Sequence, residues 1–366
     1  MMAEPNQTET APAAAADASA SKSDPTAEDA PRAGEASAAE GAPLLEVSDL
    51  HVEFHVRGQT VRAVNGLSYT LQEGETVAIL GESGSGKSVA AQAVMGILDS
   101  PPARITGGSV RLRGEELLGL PERRRRRYRG DRISMIFQDA LTALNPVYTV
   151  GDQICEMFQV HRGMRRKEAK AKAVELMERV RIPSPRDRLG DHPHTFSGGM
   201  RQRIMIAMAL ALEPDVLIAD EPTTALDVTV QAQIMRLLAD LQDELRMGLV
   251  LITHDLGVVA GVADRIVVMY AGSVAEQAPA RALYARPAHP YTKGLLASVP
   301  RLTRGGERLV PIKGAPPNPA ALPSGCPFRP RCPRAEAVCA EERPPLVEVA
   351  PGHASACHFA EEVHGG

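Results

Sequence analysis

The sequence predicts an α/β protein built on a parallel β-sheet, and three observations lead to this prediction. Short apolar runs recur along the chain, at Thr76 to Leu80, Ile133 to Phe137, Val216 to Ala219 and Leu249 to Thr253. Segments of helical periodicity alternate with these runs, at Lys167 to Val180, Met200 to Leu212 and Val228 to Leu245. A glycine-rich loop also separates the first run from a helix expected to begin at Gly86. Buried strands that alternate with helices are typical of a parallel sheet.

The composition indicates a globular protein without a membrane span. Of the 366 residues, 44% are hydrophobic and 23% are charged, which is close to ordinary usage in water-soluble domains. Aromatic residues make up only 3% and Trp is absent, which argues against a membrane-interface or base-stacking protein. No segment approaches the roughly 20 apolar residues that span a bilayer, and the start lacks the apolar core of a secretory signal. We therefore expect a cytoplasmic protein.

Three regions follow one another along the chain. Residues 1–43 are rich in Ala, Pro, Ser, Thr, Asp and Glu, and this composition predicts a disordered acidic tail. Residues 44–278 carry the strand and helix patterns, and a strand-poor, helix-rich segment at about 140–214 predicts a helical insertion into the sheet. Residues 279–366 are dense in Pro and form an appended C-terminal region.

Two further strands are expected before the first buried run. The alternation of Leu50, Val52 and Phe54 predicts a half-buried strand, and Leu67 to Leu71 predicts another. The charge distribution argues against a nucleic-acid partner, because the acidic tail accounts for the net charge of −4 and the remainder is nearly neutral. The basic run Arg123 to Arg127 is typical of a solvated helix face.

The glycine-rich loop Gly81-Glu-Ser-Gly-Ser-Gly-Lys-Ser88 matches the phosphate-binding pattern G-x-x-x-x-G-K-[ST]. Glycines let backbone N–H groups wrap the phosphates, and the helix that follows adds the positive end of its dipole. Lys87 is expected to reach the β- and γ-phosphates, and Ser88 is expected to ligate Mg²⁺. We therefore predict a P-loop NTPase that binds ATP and Mg²⁺. Its candidate nucleotide-binding residues in this stretch are Gly81, Ser83, Gly84, Ser85, Gly86, Lys87, Ser88 and Val89.

Two adjacent carboxylates end the apolar run Val216-Leu-Ile-Ala-Asp-Glu221. The carboxyl ends of parallel strands meet at one edge of a sheet, so both acids are expected beside the phosphate loop. Asp220 is then a candidate Mg²⁺ ligand. Glu221 is a candidate general base that orients or deprotonates the attacking water.

The segment Phe196-Ser-Gly-Gly-Met-Arg-Gln-Arg203 opens an amphipathic helix and resembles the signature of ABC ATPases, which is normally Leu-Ser-Gly-Gly-Gln. Phe196 and Met200 depart from that pattern, whereas Ser197, Gly198 and Gly199 match it. The pattern His-Pro-His-x-Phe-Ser-Gly-Gly-Met, which starts here at His192, is similar to that of the oligopeptide and dipeptide importer branch.

Other elements of the ABC family fall in order along the chain. Gln138 resembles the Q-loop glutamine, which contacts Mg²⁺ and transmits the nucleotide state, and Ala225-Leu-Asp227 resembles the D-loop. His254 resembles the switch histidine near the γ-phosphate, and Phe54 corresponds to the aromatic residue that stacks on adenine. The resemblance thus implies Lys87, Gln138, Glu221 and His254 as catalytic residues, and Phe54, Ser197, Gly198, Gly199 and Asp227 as further nucleotide contacts.

Four stretches resemble the D-type ATPase of dipeptide and oligopeptide importers. They are the loop through Val89, Leu144-Asn-Pro, the His-Pro-His signature and His289-Pro-Tyr-Thr-Lys-Gly-Leu-Leu296. The resemblance implies an ABC-type core sheet, an antiparallel β subdomain, a helical insertion and a Cys-rich C-terminal extension. It also implies ATP hydrolysis that powers peptide import.

The same resemblance implies that this chain lies on the cytoplasmic face of the membrane and works with a set of partners. These are a second ABC ATPase subunit of the F type, two polytopic permease subunits and an extracytoplasmic substrate-binding protein. Relatives in this branch carry nickel or other small solutes, so these remain competing substrates. The competing function is that of a non-transport ABC ATPase.

Four cysteines crowd the end of the chain. Cys326, Cys332, Cys339 and Cys357 have the spacing C-x5-C-x6-C-x17-C, whereas Cys155 lies in an apolar helical pattern and is expected in the core. Disulfides are disfavoured in a reducing cytoplasm, and four thiolates on one metal centre are the natural alternative. The resemblance implies a possible four-iron four-sulfur cluster here, because some members of the family hold one in this region. The spacing also fits unligated thiols, or zinc, although zinc prefers tighter C-x2-C pairs.

Overall fold

The computed structural model describes residues 42–139, 143–224, 226–298 and 311–366. The disordered tail predicted for residues 1–43 lies outside this part of the chain, except for its last two residues. Ala225 of the predicted D-loop also lies outside it. Within the described residues, the strands form one eight-stranded and one four-stranded sheet.

The eight-stranded sheet is the centre of the molecule. Its strands are β3 (Thr76–Leu80), β6 (Ile133–Ile136), β7 (Val216–Asp220), β8 (Gly248–Thr253), β9 (Arg265–Tyr270), β10 (Ser273–Pro279), β11 (Val347–Ala350) and β12 (His353–Ser355), in the spatial order β11-β12-β10-β9-β3-β8-β7-β6. The five strands from β9 to β6 are mutually parallel. Four of them coincide with the predicted apolar runs, whereas β9 was not predicted. The pairs β9–β10, β10–β12 and β11–β12 are antiparallel.

The four-stranded sheet is antiparallel throughout, in the order β2-β1-β4-β5. Its strands are β1 (Leu45–Val56), β2 (Gln59–Leu71), β4 (Ala103–Leu112) and β5 (Glu115–Glu116). Leu50 and Val52 are buried, as their alternation predicts. The second strand begins at Gln59, earlier than the expected start at Leu67.

Helices connect the strands and form the predicted insertion. They are α1 (Lys87–Met95), α2 (Glu122–Arg125), α3 (Val150–Arg162), α4 (Arg166–Arg179), α5 (Pro185–Arg188), α6 (Gly198–Leu210), α7 (Val228–Leu245), α8 (Leu256–Val259), α9 (Ala280–Ala285), α10 (Pro290–Ala297), α11 (Val338–Glu341) and α12 (Ala360–Gly365). Between β6 and β7 the described residues contain α3 to α6 and no strand. Thr149 starts α3 by accepting a hydrogen bond from the N–H of Asp152, and Gly163 ends it in the left-handed conformation.

The central sheet separates two hydrophobic cores, because its strands alternate their side chains between its faces. Val77 and Ile79 of β3 face the four-stranded sheet and α1, whereas Ala78 and Leu80 face α3, α4, α6 and α7. Cys155 is buried in the second of these cores, as predicted. No helix of the described residues is both long enough and apolar enough to cross a membrane.

The C-terminal region joins the central sheet instead of forming a separate layer. Strand β12 pairs with β10, with Glu276 opposite Ser355. The buried carboxylate of Glu276 accepts hydrogen bonds from the backbone N–H groups of Ala288 and His289 and lies 2.7 Å from Nε2 of His353. The boundary at residue 279 remains a prediction, but residues on its two sides share one sheet.

Candidate nucleotide-binding site

The phosphate loop joins the end of β3 to the start of α1. Gly81 and Gly86 have φ angles of +156° and +100°, which favour glycine. A Cβ at Gly81 would meet the carbonyl oxygen of Met269, and a Cβ at Gly86 would meet that of Ala63. The neighbouring backbone therefore allows only glycine at these two turns of the loop.

Lys87 extends back over the loop from the first position of α1. Its Nζ donates to the carbonyl oxygens of Gly81 at 2.8 Å and Glu82 at 3.1 Å. Burial lowers the pKa of Lys87, against the opposing effects of Glu221, Asp220 and Glu82. The ammonium group thus lies at the loop in a position to contact a bound anion.

The loop also holds polar groups that have no partner among the described residues. The hydroxyl of Ser85 is buried and makes no hydrogen bond, and no side chain caps the start of α1 at Gly86. Orphaned donors at a helix N-terminus beside a lysine suit a polyphosphate. Ser83 is exposed at the tip of the loop, and Val89, within α1, packs against the core.

Ser88 and Asp220 meet beneath the loop. Oγ of Ser88 donates to Oδ1 of Asp220 at 3.0 Å, and the carboxylate is only 3% exposed. Burial raises the pKa of Asp220, with Glu221 acting in the same direction and Ser88 and Lys87 opposing. A hydroxyl and a carboxylate in contact fit the oxygen ligands that Mg²⁺ prefers.

Three other side chains contact the carboxylate of Glu221. Its Oε2 accepts from Nε2 of Gln138 at 2.9 Å and from Oγ1 of Thr224 at 2.8 Å, and its Oε1 lies 3.2 Å from Nδ1 of His254. Burial raises the pKa of Glu221, but hydrogen bonds from Thr224 and His254 outweigh it, and the pKa lies below its ordinary value of 4.5. The carboxylate is therefore ionised at neutral pH.

The backbone conformation at Glu221 orients its side chain toward these three partners. Its φ of +46° is left-handed, and its N–H donates to the carbonyl oxygen of Ile252 at 2.8 Å. Strand β7 is thereby tied to β8 just where the side chain leaves the sheet. The sequence interpretation missed Thr224, although its place three residues after Glu221 is suited to a local hydrogen bond.

The signature residues lie at the N-terminus of α6. Ser197 and Gly198 are exposed, and the Ser197 hydroxyl accepts from the N–H of Met200 at 3.4 Å. A Cβ at Gly199 would lie 2.7 Å from Cγ1 of Val230, so only glycine lets α6 approach α7 this closely. Phe196 is only 2% exposed, so its aromatic ring is buried in the core and not at the exposed signature surface.

Two other predicted nucleotide contacts lie on different elements. Asp227 caps α7 by accepting from the N–H of Val230 at 3.0 Å. Phe54 lies on β1 between Val61 and Ala103 and packs against the core below the four-stranded sheet. Its stacking on adenine stays a prediction.

Comparisons with known proteins decide the family. The family model described as ABC transporter matches residues 64–224, and the model described as oligopeptide/dipeptide transporter, C-terminal region, matches residues 275–339. The oligopeptide transport ATP-binding protein OppD of Salmonella typhimurium is 52% identical over 314 residues, which cover 86% of this chain and 93% of that protein. The dipeptide transport ATP-binding protein DppD of Bacillus subtilis is 53% identical over 296 residues, which cover 81% and 88%.

The chain belongs to the ATP-binding proteins of oligopeptide and dipeptide ABC transporters.

Solved structures agree with this membership. A dimeric post-hydrolysis structure of the ATP-binding cassette MJ0796 with ADP and Pi is similar, with a TM-score of 0.58 and 28% identity. The match covers 65% of this chain and 99% of that one. CbiO1 from Clostridium perfringens is similar with a TM-score of 0.56 and 27% identity, over 66% of this chain and 91% of that one. The protein is therefore an ABC-type ATPase with the predicted fold, and such enzymes use ATP with Mg²⁺.

The four C-terminal thiols of this family member line one cavity. Cys326, Cys332, Cys339 and Cys357 surround it together with Phe328, and the four thiols are free. Burial raises the pKa of Cys326 and of Cys332, and raises that of Cys357 to about 11. Across the described residues, no three potential ligands are arranged to hold a single metal ion. The arrangement gives no support to zinc or to an iron-sulfur cluster, and the cluster stays a prediction.

Proposed function

We propose that this ABC ATPase is the motor subunit of a peptide importer. The observation that carries the proposal is identity of at least 52% to transport proteins named for oligopeptides and dipeptides, over more than four-fifths of this chain. The match of residues 275–339 to the C-terminal region of such transporters supports it separately from the nucleotide site. Nickel and other small solutes are the competing substrates.

The phosphate loop and the end of β7 would hold Mg²⁺ and ATP. Lys87 neutralises the β- and γ-phosphates, while Ser88 and Asp220 supply oxygens to the metal. Gln138 approaches the same place from β6 and would contact the metal when the nucleotide is bound. The hydrogen bond between Ser88 and Asp220 supports this assignment because it brings the two candidate ligands together.

Glu221 is the proposed general base. It is ionised at neutral pH, is 12% exposed and is oriented by Thr224 and His254. A base must be deprotonated and held in one orientation beside the attacking water, and the lowered pKa and these contacts support that role. His254 would also lie near the γ-phosphate, because it stands beside the proposed base, which takes the proton from the water that attacks there.

The signature would act on a nucleotide held by a second subunit. Ser197 and Gly198 are exposed at the free N-terminus of α6, where backbone N–H groups can bind phosphate. The similar cassette MJ0796 is described as a dimer. We propose a head-to-tail pair with an F-type ATPase, in which each phosphate loop faces the partner's signature.

The permease contact is proposed beside Gln138. Phe137, Val147 and Tyr148 are large apolar residues that are 42%, 74% and 58% exposed. Exposed apolar side chains in the sequence around the Q-loop and the start of the helical insertion suit a protein interface. The chain would then lie on the cytoplasmic face of the membrane against two permeases, with a substrate-binding protein on the other side.

The C-terminal cavity is the proposed place of a four-iron four-sulfur cluster. Such clusters are held by four cysteine thiolates, and Cys326, Cys332, Cys339 and Cys357, which line one cavity, would hold it here. Cluster binding would lower the raised thiol pKa values, because a metal deprotonates its thiol ligands. Iron and sulfide analysis with an absorbance scan of anaerobically purified protein tests the cluster. Cys357→Ser should lose iron and Cys155→Ser should keep it, whereas a colourless wild type with bound zinc would refute the cluster.

Transport assays separate the substrates. In cells that lack the chromosomal gene, wild-type protein should restore uptake of a labelled tripeptide, and Glu221→Gln should not. Copurification of two polytopic membrane proteins with the wild type would separate a transporter subunit from a non-transport ATPase. Restored uptake of labelled nickel without the tripeptide would contradict the peptide assignment while leaving the ATPase intact.

A further inference from the structure

The C-terminal cysteine-rich segment contacts the phosphate loop directly. Arg331, one residue before Cys332, forms a double salt bridge with Glu82 of the loop, at 2.5 Å from Nη1 to Oε2 and 2.9 Å from Nη2 to Oε1. The two residues are 249 positions apart in sequence, so no local pattern predicts their contact. The Arg331 side chain is only 5% exposed.

The rest of the Arg331 guanidinium is also held in place. Its Nε donates to the carbonyl oxygen of Lys313 at 3.2 Å, and its Nη1 lies 3.4 Å from the hydroxyl of Tyr270. The guanidinium carbon lies 5.9 Å from the ring centre of Tyr270 and 6.0 Å from that of Phe328. A planar fork fixed on several sides presents both of its outer nitrogens to one carboxylate.

A second contact reaches the loop backbone. The N–H of Glu82 donates to the hydroxyl of Tyr291 at 2.9 Å, and Tyr291 is fully buried. The carbonyl of the same residue accepts from Lys87. Glu82 is thus fixed through its N–H, its carbonyl and its side chain, and two of these three contacts come from residues beyond 279.

The charge of Glu82 gives these contacts a role in nucleotide binding. Its carboxylate belongs to the residue whose carbonyl oxygen accepts from Nζ of Lys87 at 3.1 Å, so the two side chains lie at the same part of the loop. An unpaired carboxylate here would compete with phosphates for Lys87 and would repel them. Arg331 offsets the negative charge of Glu82 at the place where the phosphates of ATP would add further negative charge.

We propose that Arg331 is a positioning residue of the nucleotide site, which neutralises Glu82 and, with Tyr291, holds the phosphate loop in its ATP-binding conformation. The inference rests on the nucleotide-binding role of the loop and does not depend on the transported substrate. It assigns the C-terminal region a direct part in ATP affinity.

Titration of the full-length protein with MgATP tests the charge argument. Arg331→Met should raise the Kd for MgATP about tenfold, because Glu82 loses its partner. The double variant Arg331→Met with Glu82→Gln should return to within about threefold of the wild type. Arg331→Lys keeps the positive charge but lacks the planar fork of the guanidinium. Its Kd should fall between those of the wild type and Arg331→Met. Arg334→Met, which removes a nearby exposed arginine, should change the Kd by less than about twofold.

A thermal melt of each variant separates positioning from folding. If Arg331 only stabilises the C-terminal region, the double variant will melt as low as the single one and its Kd will not recover. Either that result or a wild-type Kd for Arg331→Met would overturn the proposal. If Arg331→Met does not fold, the single variant Glu82→Gln tests the proposal. It should bind MgATP at least as tightly as the wild type, and weaker binding would overturn the proposal. A wild type that does not bind MgATP would instead refute the nucleotide site.

Discussion

His254 and Glu221 come together from the ends of two adjacent parallel strands, with Nδ1 of His254 lying 3.2 Å from Oε1 of Glu221. Strand β8 ends one residue before His254, and β7 ends one residue before Glu221. The register of the sheet, with Asp220 opposite Ile252, sets this contact. The proposed base is therefore oriented by the same backbone pairing that builds the core.

The amide variant Glu221→Gln should separate binding from turnover. The amide keeps the size of the side chain but cannot accept the water's proton, so steady-state ATP hydrolysis should fall about 10²- to 10⁴-fold. The Kd for ATP should stay near that of the wild type, whereas Lys87→Ala should lose affinity. Phosphate release and equilibrium binding measure the two quantities. Glu213→Gln, at an exposed residue before β7, is the matched control, and hydrolysis by Glu221→Gln at the wild-type rate would refute the base.

Removal of His254 should change the pH dependence of hydrolysis. The pKa of Glu221 lies below 4.5 because hydrogen bonds from Thr224 and His254 outweigh its burial. In His254→Ala one of these bonds is lost, so the pKa should rise and the base should become protonated at higher pH. In a pH series, the acid limb of the kcat/KM profile should move to higher pH. His254→Gln, which keeps a donor, should show a smaller shift, and an unmoved limb in His254→Ala would contradict the contact.

The glycine of the signature should be sensitive to a single methyl group. In Gly199→Ala the new Cβ would lie 2.7 Å from Cγ1 of Val230, a branched side chain with little freedom to move. We expect a loss of about 1–3 kcal/mol in the free energy of unfolding, as for other overpacked contacts. Denaturant unfolding measures it. Gly190→Ala, where a Cβ meets nothing within 4 Å, should have little effect, and equal stability of the two variants would contradict the close approach of α6 to α7.

His289 should make the fold sensitive to mild acid. Burial lowers its pKa from 6.5 to about 4, although Glu276 and a hydrogen bond involving Ala356 act in the opposite direction. Between these two values the unfolded chain binds the proton and the folded one does not, so stability falls as the pH drops through this range, by up to about 3 kcal/mol.

Urea unfolding at pH 7 and pH 5 measures this loss. The variant His289→Asn removes the titration and retains an acceptor for the N–H of Tyr291, which starts α10. Its stability should depend less on pH than that of the wild type. Replacement of the exposed His55 by Asn should leave the pH dependence unchanged, and an unchanged slope in His289→Asn would exclude His289 as its source.

Four of the five parallel strands, β3, β6, β7 and β8, were predictable because each is a short apolar run between breaking residues. Strand β4 was missed because Gly107 and Gly108 interrupt its pattern. The pairing of β1 with β4 shifts register at this place, and Gly108 adopts a φ of +98° against the backbone of Asp49. The hairpin of β9 and β10 was missed because alternating strands and helices favour parallel neighbours.

The nucleotide site was predictable where chemistry is carried by contiguous motifs. Lys87, Ser88 and Asp220 come together as their motifs predict, because β3 and β7 end at the same edge of the sheet. The contact of Arg331 with Glu82 was not predictable, since it depends on how a Pro-rich segment folds back over the loop. Sequence spacing gives no information about such a contact.

The two short strands at the end of the chain also protect the sheet from unwanted association. Without β12, the backbone of β10 would be an open edge, and open edges recruit strands from other molecules. In the complete sheet the outermost strand is β11, which has only four residues and exposes the charge of Glu348. During synthesis this edge stays open until residues 347–355 have been made. We therefore expect aggregation, and not merely lower activity, to follow when folding of this last segment is delayed.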